Sequence, residues 1–200
     1  MKRGLRTVCV YSGSSDKIGP AYLRSAQGMG EVLAERGLSV VFGGSRTGLM
    51  GALADAALAG GAKVIGVLPR EFNTRALAHA GLSELRVVET MHERKALMAS
   101  LADAFIALPG GFGTLEELFE ILTWAQLGHH RHPVGLLNVA GYYDSMLAMI
   151  DRAASEGFVY EEHRQLLLTS ADPATLVDRL ENYEPPAGLE RWMQRREEEA

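Results

Sequence analysis

The sequence predicts an α/β sandwich of three layers, with a central parallel sheet and helices on both of its faces. Two observations point there. Short, continuously apolar, β-branched runs alternate with helical stretches along the chain, the pattern of parallel strands buried on both faces. Glycine- and serine-rich loops recur where such runs end and helices begin. No shift of composition and no long linker divides the 200 residues. The expected layout is one domain over 1–183 followed by a charged C-terminal tail over 184–200.

The elements follow in order. Thr7–Tyr11 (TVCVY) reads as a buried strand leading into the small-residue loop Ser12-Gly13-Ser14-Ser15. Residues 21–36 read as a helix whose Leu23, Ala26, Met29, Gly30 and Leu33 make one apolar stripe. Gly37 stops it, and 38–42 is a second strand. A glycine loop from Gly43 to Gly48 precedes a small-residue helix over 49–59, closed by Gly60-Gly61. Residues 63–68 form a third strand, stopped by Pro69. A polar segment intervenes before a strand at 85–88 and a helix at 91–101. Strand 104–108 leads to a long helix at 114–127, and strand 133–137 to a helix at 143–156. A last strand at 166–168 and a helix at 173–183 complete the domain.

Composition narrows the function classes. With 25 acidic against 20 basic residues the formal charge is −5, which argues against binding a nucleic-acid polymer by bulk electrostatics. One cysteine, Cys9, cannot form an internal disulfide and reads as strand filler. The basic start at residues 1–6 runs into a strand, not a signal sequence, and no apolar stretch approaches the ~20 residues of a membrane helix. A cytoplasmic location is the expectation. Glycine is out of line at 22 of 200 residues, or 11%, against about 7% on average.

Many of those glycines sit at strand ends. In doubly wound sheets, ligands bind outside the carboxyl ends of strands. Three loops fall at such ends: Ser12 to Ser15, the run from Gly43, Gly44 and Ser45 to Gly48 and Gly51, and Pro109-Gly110-Gly111-Phe112-Gly113-Thr114. Glycine lets the backbone approach an anion, and helix N-terminal N–H groups favour negative charge. Each loop alone reads equally well as a tight turn; three at one edge favour phosphate. Neither a G-x-G-x-x-G fingerprint after the first strand nor a G-x-x-x-x-G-K-[ST] loop is present. A mononucleotide or sugar phosphate therefore fits better than a dinucleotide.

Two charged segments accompany the loops. Thr114 and Glu117 have the spacing of a capping box, with Thr114 as N-cap. A carboxylate in that first turn would be ionised, suiting an electrostatic partner for an oxocarbenium ion or a base for water, and not a general acid. Arg94 and Lys95 read first as a solvated charged face. Turned towards the loops instead, Arg94 would clamp phosphate or assist a leaving base. Met98, one turn on, would then pack a flat ring, though Met at helical spacing also suits a core. His129, His130 and His132 lack metal-ligand spacing, so no metal is expected. Ser12 and Ser14 lack a G-x-S-x-G context.

Pro109-Gly110-Gly111-Phe112-Gly113-Thr114-Leu115-Glu116-Glu117 resembles the PGGxGTxxE motif of the Lonely Guy (LOG) family, cytokinin riboside 5′-monophosphate phosphoribohydrolases long labelled lysine decarboxylases. The resemblance extends to 43–51, 91–95, 122–128, 134–138 and 141–144, and covers about residues 7 to 180. It implies a Rossmann-like fold and hydrolysis of an N-glycosidic bond without metal or cofactor, yielding an adenine-type base and ribose 5-phosphate. It places the catalytic pair on Arg94 and Glu117. Substrate contacts would fall on Glu71, Arg94, Lys95, Gly111 through Glu117, and Thr123, with Ser12 to Ser15 and Gly43 to Gly48 completing the phosphate and ribose site. Phe112 and Met98 would line the base pocket. A homodimer or dimer-based oligomer is implied as well. Asp103 and Glu116 are the candidates for a general acid. The alternatives are a non-catalytic nucleotide or molybdenum-cofactor binding protein of the same fold, and the decarboxylase of the older label, whose chemistry needs a lysine Schiff base.

Overall fold

The computed structural model describes residues 4–191. The basic start at 1–3 and the part of the expected tail from 192 to 200 lie outside the described residues. Seven strands form one sheet: β1 (Thr7–Tyr11), β2 (Ser39–Phe42), β3 (Val64–Pro69), β4 (Glu84–Val88), β5 (Ala104–Ala107), β6 (Val134–Leu137) and β7 (Leu167–Ser170). Their order across the sheet is β4-β3-β2-β1-β5-β6-β7, and every pairing is parallel. From β1 the chain works outward to one edge, then returns to lay β5 on the other side of β1. The crevice between β1 and β5 is the switch point of the sheet, where the loops on either side diverge.

The period of two in the central strands explains the layers. Val8 and Val10 of β1 pack with helices α1 (Pro20–Glu35), α2 (Gly48–Ala59) and α7 (Pro173–Glu181). Cys9 and Tyr11 pack on the opposite face with α3 (Met91–Ser100), α4 (Phe112–Gln126) and α5 (Asp144–Ser155). Cys9 is fully buried, as expected of filler. Gly30 lets α1 and α2 meet backbone to backbone, because a Cβ there would lie 2.5 Å from the Leu53 carbonyl oxygen.

Boundaries differ from expectation by a residue or two at most elements. Three short turns were not expected: the 3-10 turns Arg70–Phe72 and Val139–Gly141, and α6 (Glu161–Arg164). One boundary matters chemically. α4 begins at Phe112 with Gly111 as its cap, and its first turn holds no acidic residue. Thr114 is therefore inside the helix, not its N-cap, and no Thr114–Glu117 capping box forms; a glycine cap three residues earlier, Gly111, replaced it. The chain from 184 to 191 lies against the domain, with Glu190 paired to Arg131 at 2.7 Å and the Leu189 carbonyl 3.1 Å from His163 Nε2.

Candidate active site

Three loops meet at the carboxyl ends of β1, β2 and β5, and they are tied to one another by hydrogen bonds. Gly13 N–H donates to Pro109 O at 3.0 Å, and Leu49 N–H donates to Gly13 O at 2.9 Å. Thr47 Oγ1 donates to Ser14 O at 2.8 Å, and Gly48 N–H to Asp16 Oδ1 at 3.1 Å. Gly48 has φ +60°, and a Cβ there would strike the Ser14 and Ser15 backbone at 2.6 Å. Only glycine permits that crossing. Behind the third loop, Tyr143 Oη donates to Leu108 O and Tyr142 Oη to Gly110 O, at 2.7 and 2.8 Å.

The loops enclose a cleft of two lobes that share Ser14, Ser15, Met50, Met91 and Arg94. The lobe of about 370 Å³ carries the polar side chains of Ser12, Thr114, Glu116 and Glu117, beside Gly13, Gly111 and Gly113. Ser12 is buried and its Oγ has no hydrogen-bond partner among the described residues. The lobe of about 480 Å³ is walled by Leu68, Pro69, Phe72 and Leu77 beside Gly43, Ser45 and Thr47.

Arg94 stands where the lobes join. α3 starts at the Thr90 cap, whose Oγ1 accepts from Glu93 N–H at 3.1 Å. The helix then aims Arg94 under the loops. Its Nε donates to Val67 O at 3.1 Å, and its Nη1 donates to Glu117 Oε1 at 2.6 Å. Both side chains are less than 10% exposed. Gly43 makes room for this, since a Cβ there would lie 2.1 Å from Arg94 Nη2. The solvated-face reading of Arg94 and Lys95 is thus overturned: α3 packs its charged side against α4, where carboxylates replace water.

The charge state of Glu117 follows from burial. Removal from water pushes its carboxyl above the ordinary range, and the Arg94 guanidinium pulls it back only in part. The expectation that a helix N-terminus sets its charge is corrected, because Glu117 sits in the second turn of α4. Lys95 points between α3 and α4, with its Nζ hydrogen-bonded to Glu116 and, at 2.9 Å, to Glu120. Burial opposes its charge, but those two bonds outweigh that and raise its pKa.

The remaining expected residues divide. Gly110 supports the third loop, while Gly44 (φ +77°) lies against Leu68. Phe112 projects from the start of α4, 94% exposed, and Leu115 is half-buried beside the core. Glu71 lies exposed on the turn after β3, between the cleft residues Pro69 and Phe72. Thr123 is exposed on α4 with its Oγ1 on Phe119 O at 2.6 Å. Neither Lys95, Glu71, Thr123 nor Phe112 lines the two lobes. Met98 is fully buried in the core beneath α3, so the base-packing role is corrected to a core role. Asp103 accepts from the Arg6 and Thr7 N–H groups, at 3.1 Å each, at the amino ends of the strands. It is on the wrong edge of the sheet to act as an acid in the cleft. Sequence reasoning missed Asp16, Thr47, Met50, Met91, Phe72 and Leu77; none stands out from its neighbours until the loops close.

A family model described as "possible lysine decarboxylase" matches residues 50–180. The cytokinin riboside 5′-monophosphate phosphoribohydrolase LOG of Oryza sativa subsp. japonica is 50% identical over 90% of this chain and 74% of its own length. A second relative of that activity, from Arabidopsis thaliana, is 48% identical over 92% of this chain and 85% of its own. Among solved structures, the molybdenum cofactor binding protein of Rippkaea orientalis superposes with a TM-score of 0.68 at 21% identity, covering 88% of this chain and 96% of that one. The molybdenum cofactor carrier protein of Chlamydomonas reinhardtii gives 0.68 at 20%, covering 89% and 99%. At that identity the likeness shows a shared fold. Half-identical to the Oryza sativa relative over most of both chains, and matched by the family model from residue 50 to 180, this chain belongs to the LOG family of phosphoribohydrolases.

Proposed function

We propose that this protein hydrolyses the N-glycosidic bond of cytokinin riboside 5′-monophosphates, releasing the N6-substituted adenine and ribose 5-phosphate. The observation that carries the reading is the buried Arg94–Glu117 pair, 2.6 Å apart at the junction of a glycine-lined polar lobe and an apolar one. The polar lobe suits the ribose phosphate, which backbone N–H groups and the unpartnered Ser12 hydroxyl would bind. The apolar lobe suits the base and its N6 substituent. Anchoring the phosphate, remote from the reacting bond, supplies binding energy that orients the sugar.

Breaking the C1′–N bond builds positive charge on the ribose ring. The Glu117 carboxylate stabilises that charge and orients a water for attack at C1′. Water gives hydroxyl to C1′ and its proton leaves with the base nitrogen. Arg94 holds Glu117 in place, and as a cation lining both lobes it assists base departure. The older decarboxylase reading needs an unprotonated lysine to form a Schiff base. Lys95, which follows Arg94 on α3, is instead held as an ammonium by Glu116 and Glu120. The carrier reading rests on neighbours about 20% identical and leaves the Arg94–Glu117 pair without a task.

Assembly as a homodimer belongs to the same proposal. Phe119, Leu127 and Met149, on or at the end of α4 and α5, are left exposed to an extent that a partner would relieve. The function is tested by chromatographic detection of free base from N6-isopentenyladenosine 5′-monophosphate. Glu117→Gln and Arg94→Ala should each lose on the order of 10² or more in rate. Wild-type turnover in either variant removes that residue from the mechanism.

A further inference from the structure

The apolar lobe has one wall that does not belong to the sheet. Phe72 and Leu77 come from the segment between β3 and β4, and both remain more than one-third exposed where they face the cleft. That segment is held to the second glycine loop by an isolated antiparallel bridge between Ser45 and Ala78. Arg46 N–H donates to Leu77 O at 2.8 Å, and His79 N–H donates to Gly44 O at 3.0 Å. The bridge is only a few bonds long, so something must hold its far end.

His79 does so. Its side chain is 9% exposed, and both ring nitrogens are used. Nδ1 accepts from Gly81 N–H at 3.1 Å, which leaves the proton on Nε2, and Nε2 donates to Asp55 Oδ1 of α2 at 2.9 Å. Neither His79 nor Asp55 lines the lobe that Leu77 walls. The imidazole therefore pins the strap to α2 from outside while the strap presents Leu77 to the cleft from inside.

Resting on the hydrolase reading, we infer that His79 and Asp55 are positioning residues for substrate selection. Their hydrogen bond fixes the strap so that Leu77 and Phe72 contact the N6 substituent of the base. Loosening it widens the apolar lobe and leaves the Arg94–Glu117 hydrogen bond, which involves no residue of the strap, in place. The consequence is specific to the substituent, because AMP has nothing there for the wall to touch. One methylene's worth of contact in an apolar pocket is worth tenfold or more in discrimination.

The test compares AMP with N6-isopentenyladenosine 5′-monophosphate, by calorimetric Kd and by steady-state release of base. His79→Ala and Asp55→Ala should each cut the preference for the substituted nucleotide about tenfold, through Kd and KM, with kcat unchanged. His79→Gln, which keeps a donor within reach of Asp55, should restore most of it. Asp55 is 75% exposed, so its alanine variant folds even if His79→Ala does not. An unchanged preference in Asp55→Ala, an equal loss on both nucleotides, or a wild-type protein without preference overturns the inference. A wild-type protein that binds both nucleotides with a preference but releases no base overturns the hydrolase reading alone, and the Kd ratios still decide the latch. Binding of neither nucleotide overturns both.

Discussion

Gly43→Ala isolates the geometry of the charged pair from its chemistry, because it changes neither Arg94 nor Glu117. Gly43 does not have a left-handed φ, so its backbone accepts alanine without strain. The added methyl would lie 2.1 Å from Arg94 Nη2, where ordinary contact begins at 3.4 Å, and 3.1 Å from Met50 Cε. The guanidinium must therefore retreat by more than an ångström. It cannot do so and keep both its 3.1 Å bond to Val67 O and its 2.6 Å bond to Glu117. A misplacement of about 1 Å in a catalytic constellation costs about 10²-fold in rate. The clash is with the end of a flexible side chain, so the fold should survive. Gly28→Ala on α1 is the control, since its nearest neighbour would be Pro173 Cγ at 3.9 Å. It should keep full activity and gain about 0.5–1 kcal/mol in stability. Base release measured beside a thermal melt decides the matter. A folded Gly43→Ala with kcat within about twofold of wild type would refute the account of the pair.

Two further predictions concern charge and packing. Burial raises the Glu117 pKa, so base release should fall on the acid side with a midpoint above the ordinary 4.5, and Glu117→Gln should lack that limb. The same raised value means that Glu117 contributes stability below its unfolded pKa and loses it as pH rises through the folded one. Urea midpoints taken from about pH 4 to about pH 7 should thus shift in favour of Glu117→Gln relative to wild type; a constant difference would contradict the assignment. Gly30→Ala places a methyl 2.5 Å from Leu53 O and 2.9 Å from Ala57 N, both backbone atoms of α2. Forcing those helices apart should cost about 1–3 kcal/mol, read as a lower urea midpoint with an unchanged slope.

The strands were legible because their signal is local. Val8 to Tyr11, Val40 to Phe42 and Phe105 to Ala107 are apolar on both faces, and only a covered parallel sheet buries both. The glycine loops were legible for a similar reason: a residue type needed for close backbone approach stands out in composition. Gly43, Gly48 and Gly110 prove to be sterically required, while Gly111 and Gly113 are open to the cleft side and meet nothing that a Cβ would strike. The wall formed by Phe72 and Leu77 was illegible, since its register depends on a bridge between Ser45 and Ala78 across more than 30 residues.

The sequence by itself determined the fold class, the edge of the sheet that carries the site, and the family to which the motif points. Local periodicity and glycine placement are short-range properties, and they survive translation into structure. Tertiary structure alone decided the electrostatics. Arg94 and Lys95 look like solvent-facing charges until α3 packs against α4, and Glu117 looks dipole-ionised until the Gly111 cap moves it into the second turn. Which charges lose their water is set by what packs over them from elsewhere in the chain. That burial raises the pKa of Glu117, and Arg94, 23 residues away, holds it in place.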